Sequence, residues 1–142
     1  MSATVLGPRD EQAVRELLAQ LERDVEVLLE LGPEEAPVTV LAGGRDIHFG
    51  EEARRLVETV AATSERVRLE VRETDEPGGR YPRLTIGGRL RYDGLPWGYE
   101  LSTLVHGIVE AGRPQPSLSA ASLAALGSLE HDVDVEVYVT PT

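Results

Sequence analysis

The sequence predicts an α/β fold: a central mixed sheet with a parallel β-α-β unit, followed by a β-hairpin and a helix. Three observations carry this expectation. Two apolar strand patterns, Val38 to Ala42 and Val67 to Val71, flank a helical stretch with Ala53, Leu56, Val57, Val60 and Ala61 on one face. Strand, helix and strand in that order imply a parallel pair with a right-handed crossover. Gly87-Gly88 then separates two short strand patterns, a tight-turn signal. Finally, Leu101, Leu104, Val105, Ile108 and Val109 recur at helical spacing.

Each element follows from local chemistry. Ala13, Val14, Leu17, Leu18 and Leu21 mark an opening helix, with Asp10 as its expected N-cap and its end expected near Asp24. Val25 to Leu31 reads as a strand, stopped by the Pro-rich turn Gly32-Pro33-Glu34-Glu35-Ala36-Pro37. Val38 to Ala42 is short, apolar and bounded by turn residues, which suits a buried central strand. Gly43-Gly44-Arg45-Asp46 is a loop. Val67, Leu69 and Val71 alternate with Arg68, Glu70 and Arg72, as in a half-buried strand.

After the polar loop Thr74 to Arg80 comes Tyr81-Pro82, then the hairpin strands around Leu84-Thr85-Ile86 and Leu90-Arg91-Tyr92. The long helix is expected to close at Gly112. Ser117 is the expected cap of a further helix, with Leu118, Ala121, Ala125, Leu126 and Leu129 on its buried side. Val133, Val135, Val137 and Val139 alternate with Asp134, Glu136 and Tyr138, a strand pattern.

Composition excludes several functions. The chain of 142 residues contains no cysteine, which removes disulfides, thiolate metal sites and a cysteine nucleophile. His48, His106 and His131 have no metal-ligand spacing, and no metal or cofactor is expected. Phosphate-binding loops, G-x-S-x-G and H-E-x-x-H are all missing from the sequence. The formal charge of −11 repels phosphate backbones, so nucleic acid is not an expected partner. All 14 basic residues are arginine, and the acidity is spread along the chain as on a solvated surface. No apolar run reaches the roughly 20 residues that span a bilayer. The start carries no signal-peptide pattern, so a cytoplasmic location is expected.

Two stretches are distinctive. Arg91-Tyr92-Asp93-Gly94-Leu95-Pro96-Trp97-Gly98-Tyr99-Glu100-Leu101 resembles the R-Y-x-G-L-P-x-G-x-E-F segment of the two-unit protein disulfide oxidoreductases. It is also similar to R-F-x-G-x-P-x-G-H-E-F in the N-terminal domain of the alkyl hydroperoxide reductase flavoprotein. Val137-Tyr138-Val139-Thr140-Pro141-Thr142 resembles the V-F-V-T-P-T stretch before the second unit's Cys-x-x-Cys. The resemblance runs from about Val38 to Thr142 and implies a thioredoxin, glutaredoxin-like fold. On that reading, residues 1–112 form one unit without Cys-x-x-Cys. Residues 113–142 form a connector, helix and first strand of a second, truncated unit. The Val25–Leu31 strand and its turn read as an addition to the pattern.

The resemblance also implies a site. The family's first dithiol falls on Ile47-His48-Phe49-Gly50, here a vestigial loop without a thiol. Pro82 falls on the cis-proline that lines the peptide groove, so the Tyr81–Pro82 bond is expected to be cis. His48 reads as a surface residue. The loop around Gly43, Gly44 and Arg45 reads as a permissive turn, with anion binding as its functional alternative. Trp97 and Tyr99 read as core packing, and Glu100 as a helix-dipole residue.

The expected function is a redox-inactive, structural or docking unit of a thiol–disulfide relay protein. The parent family is a thiol–disulfide oxidoreductase, but this chain alone is not expected to be an enzyme. The alternative is a stand-alone, non-enzymatic interaction module. The expected partner is a protein, or a second copy forming a dimer through the Val133–Val139 strand.

Overall fold

The computed structural model describes residues 6–33, 38–40 and 45–139. Helix α1 spans Pro8–Leu18, followed by strand β1 at Val25–Leu31. Strands β2 (Val38–Val40) and β3 (Arg45–Ile47) precede helix α2 (Phe49–Ala61) and strand β4 (Val67–Glu73). Strands β5 (Arg83–Ile86) and β6 (Leu90–Asp93) form a hairpin before helices α3 (Glu100–Ala111) and α4 (Ala120–Gly127). The main sheet has the order β4-β1-β5-β6, with β1 parallel to β4 and antiparallel to β5.

The central strand is therefore Val25–Leu31, not Val38–Ala42. Val38–Val40 instead pairs with β3 in a separate two-stranded ribbon, and Leu41 and Ala42 lie outside the described residues. Pattern length explains the outcome. Val25, Val27, Leu29 and Leu31 give β1 a complete buried face, which a three-residue strand cannot supply. The alternate face of β1 carries Glu26 and Glu30, which stand beside Arg68 and Arg72 of β4. The strand expected as an addition is thus the centre of the sheet, and the β2–β3 ribbon is what intervenes between it and α2.

One core joins the sheet to three helices. Val14 and Leu18 of α1, Leu56, Val57 and Val60 of α2, and Leu104, Val105 and Ile108 of α3 pack in one cluster with β1, Leu84 and Ile86. Burying each such aliphatic side chain stabilises the fold by about 1.5–3 kcal/mol. The core ends at Val109, and every described residue from Arg113 onward is exposed.

Local details depart from the sequence reading in instructive ways. Helix α1 starts at Pro8 behind Gly7, so Asp10 lies in its first turn and is not its cap. Proline is preorganised for that first position and has no N–H to leave unbonded. The helix ends at Leu18, short of Asp24, which instead takes hydrogen bonds from Arg66 and Arg68. Gly87 and Gly88 turn the hairpin with φ of 57° and 71°. Gly112 closes α3 with φ −86°, and no left-handed turn is needed there. Its value is closeness, because a Cβ would collide with Leu21 and Val25.

Trp97 is 40% exposed and Tyr99 79% exposed, so neither is core; Pro96 fills the interior there. The cap of α4 is Ser119, whose hydroxyl accepts from the N–H of Ser122, and not Ser117. Ser117 instead donates to Glu110. Helix α4 has no buried side: Leu118, Leu126 and Leu129 are all about half exposed. Residues 133–139 pair with no strand among the described residues. Nothing in the sequence signals this, because an apolar face records a need for cover and not its presence.

Tyr92 offers a pH test of the packing. Partial burial, and then the charge of Glu100, hold its hydroxyl above the ordinary tyrosine pKa. The neutral phenol is the form the fold favours. Its contribution is therefore full below pH ~10 and is lost as pH rises through the folded value. An ultraviolet absorbance titration of the folded protein should show a late tyrosine phase that Tyr92→Phe removes; an unchanged titration would contradict this burial.

Candidate functional site

The end of β1, the start of α2 and the loop before β5 converge on one open groove of about 760 Å³. Ile47, His48, Phe49 and Gly50 line one wall, and Tyr81 and Pro82 another. The structure thus brings together all six residues placed at a site from the sequence. Leu31, Gly32 and Pro33 supply the floor from the end of β1, and Arg54, Glu73, Thr74 and Asp75 complete the rim.

Tyr81 is held from several sides. A Cβ on either Gly32 or Gly79 would overlap its ring, so two glycines allow the ring to lie between backbones. The guanidinium of Arg83 sits over the ring, 5.3 Å from its centroid. Arg83 in turn donates to Asp93 at 3.1 Å, its cross-strand partner on β6. Both side chains of that ion pair are largely buried, which fixes the loop to the hairpin.

The Tyr81–Pro82 peptide bond is cis. The Pro82 carbonyl accepts from the Gly94 N–H at 2.7 Å, and the Leu31 carbonyl accepts from the Thr74 N–H at 2.9 Å. The Tyr81 N–H and C=O have no backbone partner among the described residues.

The groove's electrostatics are mixed. Arg54 donates to Glu73 at 2.6 Å, bracing α2 against β4 at the rim. His48 stands at the N-cap position of α2 without a side-chain capping bond, and Glu51 and Glu52 occupy the first turn. Gly43 and Gly44 lie outside the described residues, and Arg45 begins β3. Among the described residues no group of three or more His, Cys, Asp or Glu side chains could hold a metal ion. With no cysteine in the chain, the groove holds no thiolate.

In the sequence, Gly32-Pro33 reads only as a strand terminator. Its place in the groove is legible once Val25–Leu31 is taken as the central strand, because the site then follows that strand's end. A second groove, about 870 Å³, lies at the other end of β5, between Leu90, Arg89 and the α3 residues His106 and Gly107. It brings together no residues placed at a site from the sequence.

The strand order and the meeting of the cis-proline loop with the start of α2 define a thioredoxin-like unit. Solved structures share this fold. A variant of the alkylhydroperoxide reductase AhpF from Enterococcus faecalis is 17% identical with a TM-score of 0.69, covering 87% of this chain and 61% of its own. The NTD N/C domain of the same protein is 18% identical with a TM-score of 0.61, over 82% of this chain and 57% of that one. A protein disulfide oxidoreductase from Aeropyrum pernix is 23% identical with a TM-score of 0.68, over 87% of this chain and 55% of that one. This chain therefore spans little more than half the length of the chains it matches. No family model matches it, and a comparison with curated proteins gives no match. Among the described residues no helix is long and apolar enough to cross a membrane.

Proposed function

We propose that this chain is a redox-inactive thioredoxin-like unit that holds an extended peptide or positions a partner in a thiol–disulfide relay of the protein disulfide oxidoreductase kind, in the cytoplasm. One observation carries the reading: a groove of the shape such a fold uses, in a chain without sulfur to attack a disulfide. Exchange needs a thiolate nucleophile, so catalysis must lie with another unit or another protein. What remains here is binding. The open backbone of Tyr81 offers one donor and one acceptor to a passing strand. Phe49, 38% exposed, adds an apolar contact beside it. The mixed charges of Arg54, Glu51 and Asp75 do not select a strongly ionic ligand.

The test has two arms. Purified protein should give no insulin reduction above buffer. Titration with alkylated insulin B chain, an extended peptide, should shift amide resonances of Phe49, Gly50, Tyr81 and Arg83 in nuclear magnetic resonance spectra. Shifts confined to other residues, or none at millimolar peptide, would defeat the docking role. Measurable turnover would defeat the redox-inactive assignment.

A further inference from the structure

Asp93 lies outside the groove and is joined to it by a chain of contacts. It closes β6, a strand that contributes no lining residue to the groove. Across the β5–β6 ladder it stands opposite Arg83, whose Nε donates to its Oδ1 at 3.1 Å. The two side chains are only 22% and 18% exposed, so salt and water screen this pair less than an ion pair in open solvent. Arg91, itself half exposed, reaches the same oxygen at 3.5 Å. The Arg83 guanidinium then lies over the Tyr81 ring, 5.3 Å from its centroid.

The main chain makes a second tie at the same corner. The Gly94 N–H donates to the Pro82 carbonyl at 2.7 Å, with Gly94 at φ 124°, a conformation that glycine adopts freely. Asp93 and Gly94 therefore hold Arg83 and Pro82, the two residues after Tyr81, one through its side chain and the other through its backbone. Gly32 and Gly79 leave room for one edge of the ring, at Cδ2 and Cε2. Tyr81 lies two residues before the start of β5 and is not part of its ladder.

We propose that Asp93 is a positioning residue for the groove: by holding Arg83 over the Tyr81 ring, it keeps the open backbone of Tyr81 where an extended peptide meets it. The inference rests on the peptide-holding reading of the groove. Asp93 itself touches no peptide and acts through Arg83.

Charge is what the position requires. A guanidinium bonded to a carboxylate through a short, charge-assisted contact is fixed in direction as well as in place. Arg83 bonded in this way at Nε presents its flat group to the ring, and the ring's negative face draws it there. Without the carboxylate, Arg83 is a largely buried charge whose strongest partner is gone. It then gains by turning to water, and Tyr81 loses the cover that holds its ring against Gly32 and Gly79.

The test uses the whole chain, at a temperature where melting shows each variant folded. In the free protein, the Arg83 side-chain proton resonances should lie upfield, shifted by the Tyr81 ring; Tyr81→Leu and Asp93→Asn should each return them to ordinary values. Affinity for alkylated insulin B chain should fall about fivefold or more in Asp93→Asn and in Arg83→Met. Exchanging the pair, Arg83→Asp with Asp93→Arg, should restore the melting temperature but not the affinity, because the cation no longer starts from the residue beside Tyr81. An exchanged pair that binds like the wild type would overturn the proposal, since a merely structural ion pair is rescued by the exchange. So would Asp93→Asn with unchanged upfield signals or unchanged affinity. A wild-type protein that binds no peptide, yet shows upfield signals that Asp93→Asn removes, would defeat the peptide reading of the groove and leave Asp93 as the residue that holds Tyr81. A wild type without those signals would overturn the holding itself.

Discussion

Leu29→Ala is expected to lower the melting temperature by roughly 15 °C or more, and to leave little folded protein in mild denaturant. Leu29 is fully buried at the middle of the central strand. It stands beside Val71 of β4 and Leu84 of β5, so three strands and the helices above them share its side chain. Truncation removes its transfer energy and leaves a cavity that a strand bonded on both edges cannot collapse into. Leu→Ala at such sites costs about 3–5 kcal/mol, against a total of about 5–15 kcal/mol for a domain. Leu126→Ala on α4 is the control: more than half exposed, it should change stability by no more than about 0.5 kcal/mol. Thermal melts at low protein concentration read both. Equal losses would contradict the assignment of the core to residues up to Val109.

Gly32→Val is expected to damage both stability and the groove. The new side chain would occupy the space that the Tyr81 ring fills. One of the two must move, at a cost of about 1–3 kcal/mol for overpacking. Tyr81 is the softer element, because its loop is held by Arg83 and by the chain at Pro82 and not by a strand ladder of its own. Displacing it takes the open backbone of Tyr81 out of line with the groove. Peptide binding should therefore fall more than the loss of folded protein explains, by tenfold or more at a temperature where the variant is fully folded. Gly78→Ala makes the contrast. Gly78 has φ of 81° but open space around it, so it should lose about 1–2 kcal/mol of backbone preference and keep its peptide affinity.

Much of the fold is legible in the sequence because its strong signals are periodic. The apolar faces of α2 and α3, the alternation in β4 and the Gly87-Gly88 turn are each fixed by neighbours within a few residues. What the sequence hides is which of two apolar stretches takes the centre. Val25–Leu31 and Val38–Ala42 both qualify locally, and the choice is made by β4 and β5, which the chain reaches only much later. Trp97 and Tyr99 mislead for a related reason. Large aromatics are usually buried, but here Pro96 occupies the interior and the chain turns outward at Gly98, where φ is 60°. The candidate site is located through its motif positions. Its floor at Leu31 and Gly32 is hidden by the misplaced centre, since the ribbon between β1 and α2 separates in sequence what the fold sets side by side.

The end of the core at Val109 also fixes the calorimetry of this molecule. Heat capacity and denaturant sensitivity scale with the surface newly exposed on unfolding. Residues 113–139 are already exposed in the folded chain, so they release less new surface on unfolding than the residues of the core do. The melting of a single copy is that of a shorter polypeptide than its length implies.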